Sequence, residues 1–276
     1  MCMGLGCNAA GIVGCRIIDS PRERRLAILT NALMPCNGRF PTIILLSGLF
    51  LSVGGALSGL SSALALAASV TVGVFATLLL TFILSNRDGA SEESFFVMEL
   101  PPYRKPDFGA ILVRSFIDRT LLLLGRAVLV AIPAGAVLWC LSYFTVGGVS
   151  LLGYVVGFLD PLGRVMGLDG VMLAAFILGT PANEIVLPVA LMGYTAVGIS
   201  PLGSDIPEAL FAAGWTPVTA LCSVIFCLMH WPCATSLITV YRETGSLKDT
   251  LTAAVAPTAL GLFLCLLVSF IGGLFV

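Results

Sequence analysis

Long apolar runs separated by short polar stretches set the pattern of this chain. A hydrocarbon core of about 30 Å takes roughly 20 apolar residues as helix. Residues 61–84 and 250–276 meet that length without a single charge, and residues 120–144 meet it with one, Arg126. Residues 40–53 form a shorter run, followed by Gly54, Gly55 and Gly59. Residues 171–194 and 216–240 are also long enough, but both are interrupted. The first contains Pro181, Asn183, Glu184 and Pro188, the second His230, Pro232 and Cys233. With the marginal run 151–159, the pattern predicts about six or seven membrane-crossing or re-entrant elements.

The one long polar stretch, residues 86–107, holds Arg87, Asp88, Glu92, Glu93, Glu99, Arg104 and Lys105. After it, Phe108, Ile111, Leu112, Ser115 and Phe116 share one helical face, with Arg114, Asp118 and Arg119 off it. This predicts a helix lying in the membrane interface. Its basic residues put the stretch on the cytoplasmic side, and the same rule puts Arg22, Arg24 and Arg25 there. The chain thus divides into residues 1–85, a cytoplasmic loop with interfacial helix over 86–119, and membrane helices over 120–276.

Composition agrees. Of the 276 residues 58% are hydrophobic and 11% charged, with a mean hydropathy of +1.05. A soluble domain carries roughly a quarter charged residues, so this chain has too little polar surface for a soluble globule. The net charge of -1 and the scattered basic residues give no basis for nucleic-acid binding. Nine cysteines form no CxxC pair and are odd in number, which argues against a disulfide framework or a zinc ribbon. The first ten residues lack the basic start of a signal peptide. No phosphate loop, HExxH or GxSxG motif occurs, so the expectation is a transporter and not an enzyme.

The interruptions carry the chemistry. Proline in a membrane helix frees a carbonyl, which in lipid must find a partner or face a wet cavity. Transporters bind ions at such breaks. Cys7-Asn8, Pro35-Cys36, Pro181 to Glu184, and His230 to Cys233 are the four. They are ordered as a repeat. Gly6 to Val13 aligns on Gly179 to Val186 with four of eight positions identical, and a Pro-Cys pair follows each copy. Glu184, the one acidic residue of its run, reads as an isolated carboxylate that must be neutralised, paired or metal-bound. A mixed lining of Cys, Asn, Glu and His suits a borderline ion such as ferrous iron. The plainer readings are inert packing for the thiols and a hydrogen-bonded structural role for His230, the one histidine. Arg39 has three readings: partner of a carboxylate, cap of a broken helix, or interface marker. The structural role is favoured.

These residues resemble the ferrous iron transport protein B family in its membrane half. The matching stretches are Gly6-Cys7-Asn8, Arg22-Glu23-Arg24, Met34 to Pro41, Glu99-Leu100-Pro101-Pro102-Tyr103-Arg104, Pro181 to Val186, and His230 to Thr235 running on to Glu243 to Lys248. The resemblance implies an all-α, polytopic helical membrane protein with two related "Gate" repeats containing broken or re-entrant helices. It implies a multi-pass ferrous iron importer of a bacterial or archaeal cell membrane. The family's iron path uses cysteines that map to Cys7 and Cys36; with them Asn8, Asn183, Glu184, His230 and Cys233 are the candidate metal residues. Fe2+ is expected as cargo and no cofactor as a permanent guest. GTP is expected to act only through a G-protein domain that is missing from this stretch or encoded separately. The implied partners are that domain, small accessory iron-transport proteins, the lipid bilayer and a homo-oligomer. The family's proline after the first Cys-Asn is replaced here by Ala9-Ala10-Gly11, which makes a helix break there less expected. The competing reading is a Gate-type permease for a nucleoside or another small solute.

Overall fold

A computed structural model describes residues 2–50, 58–87, 109, 113, 122–198 and 206–275. The predicted cytoplasmic loop and interfacial helix lie outside the described residues except at residues 86, 87, 109 and 113. The helices are α1 (Asn8–Gly14), α2 (Pro21–Thr30), α3 (Phe40–Phe50), α4 (Ser58–Arg87), α5 (Leu122–Tyr143), α6 (Leu151–Val165), α7 (Gly170–Leu178), α8 (Val186–Ala196), α9 (Ile206–Ala212), α10 (Pro217–Met229), α11 (Ala234–Thr244) and α12 (Leu247–Phe275). The only strands among the described residues, β1 (Thr145–Val146) and β2 (Val149–Ser150), form a small hairpin turned by Gly147 and Gly148. The fold is the all-α, polytopic one expected of a membrane protein.

Among the described residues three stretches are long and apolar enough to cross a membrane: Ser62–Asn86 in α4, Pro217–Thr244 in α10 with α11, and Leu247–Gly272 in α12. Helix α3 covers 11 of the residues of the shorter run 40–53, the rest of which lies outside the described residues. One expectation changes. The run 171–194 does not cross as one element. Pro181 cannot donate the next helical hydrogen bond, so α7 ends and the chain turns back as α8, which packs on α7. Asp169 before α7 accepts a hydrogen bond from Tyr194 near the end of α8, which closes the open end of this hairpin. Residues 179–185 are its tip. Helices α6 and α7 meet at 109°.

Polar contacts sort the termini into two ends. At one, Arg16 pairs with Glu243 at 2.6 Å and Arg25 with Asp249 at 2.6 Å, while Arg22 donates to the Ser85 carbonyl at 2.7 Å. Hydrogen bonding to Glu243 holds the Arg16 guanidinium above its ordinary range. This end gathers the end of α1, the start of α2, the ends of α4 and α11, and the start of α12. At the other end, the Trp215 indole donates to Asp169 at 2.9 Å, and its ring lies 5.8 Å from Phe50 at the end of α3. Helices α2 and α3 therefore run against α10 and α11.

The result is an inverted repeat. Each half has a broken tip leading into a short helix (Cys7 into α1, Ala182 towards α8), then a broken helix (α2–α3, α10–α11), then a long span (α4, α12). Each span crosses its break at a glycine. A Cβ at Gly73 would stand 2.7 Å from Pro35 Cδ, and one at Gly261 2.7 Å from Met229 Cβ. Inverted repeats with broken helices are a recurrent transporter architecture. The main core spans both halves, from Leu33, Ile43 and Leu46 to Phe176, Phe226 and Cys265. A smaller core of Ile12, Ile28, Leu29, Val240 and Ala253 sits near the arginine-rich end.

Candidate functional site

The backbone fixes the register of the repeat. Cys7 precedes α1 in extended conformation, φ −154° and ψ 124°. Ala182 precedes its own helical turn at φ −152° and ψ 123°. The equivalent pairs are thus Cys7-Asn8 and Ala182-Asn183, two residues away from the register that the sequence match gives. A break exists at Cys7 although no proline follows it. The second pair of breaks matches as expected. The N–H of Asn37, after Pro35-Cys36, donates to the Gly6 carbonyl at 3.4 Å, and that of Ala234, after Pro232-Cys233, donates to the Thr180 carbonyl at 2.8 Å. In each half the Pro-Cys segment is thereby pinned to the chain just before the tip.

The halves also interlock. The turn Asn37–Arg39 packs on the turn Asn183–Ile185, and α1 packs on α11. Through the first contact the Asn183 carboxamide donates from Nδ2 to Cys36 Sγ at 3.7 Å. Cys36 is 8% exposed and Asn183 6%. Asn183 Oδ1 is buried with no hydrogen-bond partner, an acceptor left open in the interior. Beside them Glu184 Cγ lies 3.0 Å from where a Cβ on Gly38 would sit.

Glu184 itself is exposed, which corrects the buried carboxylate expected from its apolar run. The tip of a hairpin directs it outward, whereas a continuous helix would have enclosed it. The other candidates separate. His230 is buried, and its Nδ1 faces the Cys227 carbonyl at 2.9 Å and the Phe226 carbonyl at 3.1 Å. Its ring lies against Phe176, Phe226 and Trp231, which is the surrounding of a structural histidine. Cys233 Sγ stands 3.3 Å from Ser236 Oγ. Cys7 is half-buried. Asn8 is buried; with its nitrogen facing the carbonyls it donates to Met34 at 3.1 Å and Gly4 at 3.2 Å. Among the described residues no group of three or more His, Cys, Asp or Glu could hold a metal ion.

Two residues do more than the sequence reading assigned. Asn31 is fully buried and donates to the Asn8 carbonyl at 2.9 Å, so it fixes the first tip. The signal was available: an asparagine inside the apolar run Leu26 to Met34 is costly unless its amide is bonded. Arg39 is fully buried and donates to the carbonyls of Leu228 at 2.6 Å, His230 at 2.9 Å and Trp231 at 3.3 Å. Of its three readings, the cap of a broken helix holds.

Comparison with known proteins places this architecture. Residues 124–247 match the family model described as Nucleoside recognition, or Gate. Residues 66–118 match the model for the Ferrous iron transport protein B C terminus. A protein named Fe(2+) transporter FeoB from Methanocaldococcus jannaschii is 26% identical over 99% of this chain and 41% of its own length. One of the same name from Staphylococcus aureus is 28% identical over all of this chain and 40% of its own length. A Porphyromonas gingivalis protein, named as a fusion of Fe(2+) transport protein A with FeoB, is 26% identical over 99% of the chain and 37% of its own length. This chain therefore spans about two fifths of the curated relatives it matches. No solved structure matches it. The nucleoside description covers one stretch, whereas the iron-transporter relatives cover the whole chain, so the permease alternative is not favoured. Both family models and these whole-chain relatives make this chain similar to the membrane portion of the ferrous iron transport protein B family.

Proposed function

We propose that this chain forms the ion-conducting membrane part of a ferrous iron importer, and that Fe2+ passes where the two halves interlock. The observation that carries the reading is the Cys36–Asn183 contact. It joins a thiol from one half to a buried carboxamide of the other, whose oxygen has no partner. Turning that carboxamide about its last side-chain torsion would bring Oδ1 towards Sγ. A soft sulfur and a hard oxygen together suit ferrous iron. Glu184, exposed at the adjoining tip, supplies a carboxylate at the mouth of the site, and Cys7 at the first tip supplies a second thiol on the route. A few donors and no closed cage suit an ion that must leave as easily as it arrives.

The arginine-rich end, with Arg16, Arg22, Arg24 and Arg25, faces the cytoplasm by the positive-inside rule. The protein then crosses the cell membrane of a bacterium or archaeon several times, the two tips entering from opposite faces. GTP hydrolysis belongs to a G-protein domain outside these residues, and small accessory iron-transport proteins act with it. The Porphyromonas gingivalis fusion, in which a transport protein A is joined to FeoB, supports such a partner.

The test is radioactive ferrous iron uptake by the complete transporter carrying Cys36→Ser, Asn183→Ala, Glu184→Gln or Cys7→Ser. Loss of one metal-contacting group is expected to lower uptake by roughly ten-fold or more, with Cys2→Ser, at an exposed thiol, unchanged. Uptake at the wild-type rate in all four variants would falsify the assignment.

A further inference from the structure

Arg39 is a buried cation whose partners are all backbone carbonyls. Among the described residues no carboxylate pairs with it, and its Nε has no partner. What faces it instead is the broken C-terminal end of α10. There the carbonyls of Leu228, His230 and Trp231 have lost their helical partners because Pro232 lacks an N–H and the backbone at His230 is extended, φ −68° and ψ 169°. The C-terminus of a helix also carries the negative end of its dipole. Three converging carbonyls at such an end are the elements from which broken transporter helices build cation sites. We propose that this carbonyl cluster is a cation-binding site whose permanent occupant is the chain's own Arg39, and that, once vacated, it binds a free guanidinium ion.

The repeat supports this. The residue three beyond Pro-Cys is Arg39 in the first half and Ser236 in the second. Only the first can reach across and fill a carbonyl cluster with charge. At the other break the equivalent need is met by a neutral group, since Asn8 donates to the Met34 carbonyl. The planar guanidinium fits because two of its nitrogens point at different carbonyls, Nη1 at Leu228 and Nη2 at His230 and Trp231. A point charge such as an ammonium or alkali ion lacks that fork. The tethered ion closes this cluster to traffic while holding the Pro232-Cys233 break against the Cys36 segment. The inference concerns stability and does not rest on the iron reading.

The experiment is thermal unfolding of the purified full chain in detergent. Arg39→Ala is expected to unfold well below wild type. Millimolar guanidinium chloride is expected to raise its midpoint and not that of wild type, while sodium chloride at equal ionic strength does neither. Absence of that selective rise overturns the proposal. Should Arg39→Ala fail to fold, Arg39→Lys and Arg39→Met decide. The lysine keeps the charge without the fork, and the methionine keeps the bulk without the charge. The expected order is wild type, then lysine, then methionine; methionine equal to or above lysine overturns it.

Discussion

The two halves share a backbone plan and differ in what their side chains do with it. The inverted repeat sets Cys36 of the first half beside Asn183 of the second, and would equally set Cys233 beside Asn8. The first pair is hydrogen-bonded, at 3.7 Å. In the second, Cys233 turns to Ser236 at 3.3 Å, while Asn8 turns to the Met34 and Gly4 carbonyls under the hold of Asn31. Arg39 then fills the carbonyls above Pro232. Each interlock keeps one buried oxygen without a partner, Asn183 Oδ1 in the first and Asn31 Oδ1 in the second, but the first belongs to a carboxamide bonded to a thiol of the opposing half, and the second to one bonded to the Asn8 carbonyl of its own half. The lesson is that symmetry of fold does not give symmetry of site.

The largest effect tests that difference directly. Cys36→Ser in the complete transporter is expected to lower ferrous iron uptake by about 10- to 100-fold. Cys233→Ser, at the equivalent position, should stay within about two-fold, because its partner is a neighbouring hydroxyl and not the opposing half. The double variant should match Cys36→Ser alone. Equal losses at both cysteines would mean that both interlocks carry ions.

The closing of the re-entrant hairpin comes next. Asp169 accepts from Tyr194, from the Trp215 indole at 2.9 Å and, through Oδ1, from the Met172 N–H at 2.7 Å. Hydrogen bonds to a charged group are worth about 1.5–3 kcal/mol, so Asp169→Asn should destabilise the protein by about 2 kcal/mol, read as a lower unfolding midpoint in detergent. Asn31→Leu, the matching lesion in the first half, removes the amide that holds the Asn8 carbonyl and should cost about 1–2 kcal/mol. A larger loss at Asn31 than at Asp169 would reverse the view that the second tip is the more tightly tied.

Much of the fold was legible because hydropathy reports what lipid requires. The long spans and the final helix follow from uncharged runs, and the four interruptions mark the four breaks. The register of the repeat was not legible. The match of Gly6 to Val13 with Gly179 to Val186 rests on small and apolar identities, whereas backbone geometry equates Asn8 with Asn183. Hydropathy also cannot tell a crossing from a hairpin, since either buries the same residues; that is why Glu184 reads as enclosed and stands exposed. Cys36 was found through its Pro-Cys motif and the family resemblance. Its contact with Asn183 lies 147 residues away in sequence, beyond the reach of any local pattern.

The smallest effect concerns the arginine-rich end. Arg16 and Glu243 join the first tip's helix to α11 at 2.6 Å, yet the arginine side chain is 66% exposed. An exposed pair gains little over its separate interactions with water, and salt screens what remains. Asp169 faces partners that are themselves buried, Tyr194 at 1% and Trp215 at 7% exposure. Arg16→Ala should therefore leave the unfolding midpoint indistinguishable from wild type at physiological salt, and any shift should appear only at low ionic strength. A salt-independent loss as large as that of Asp169→Asn would show that both ends of the repeat are latched alike, and that the asymmetry is confined to the thiols and amides at the breaks.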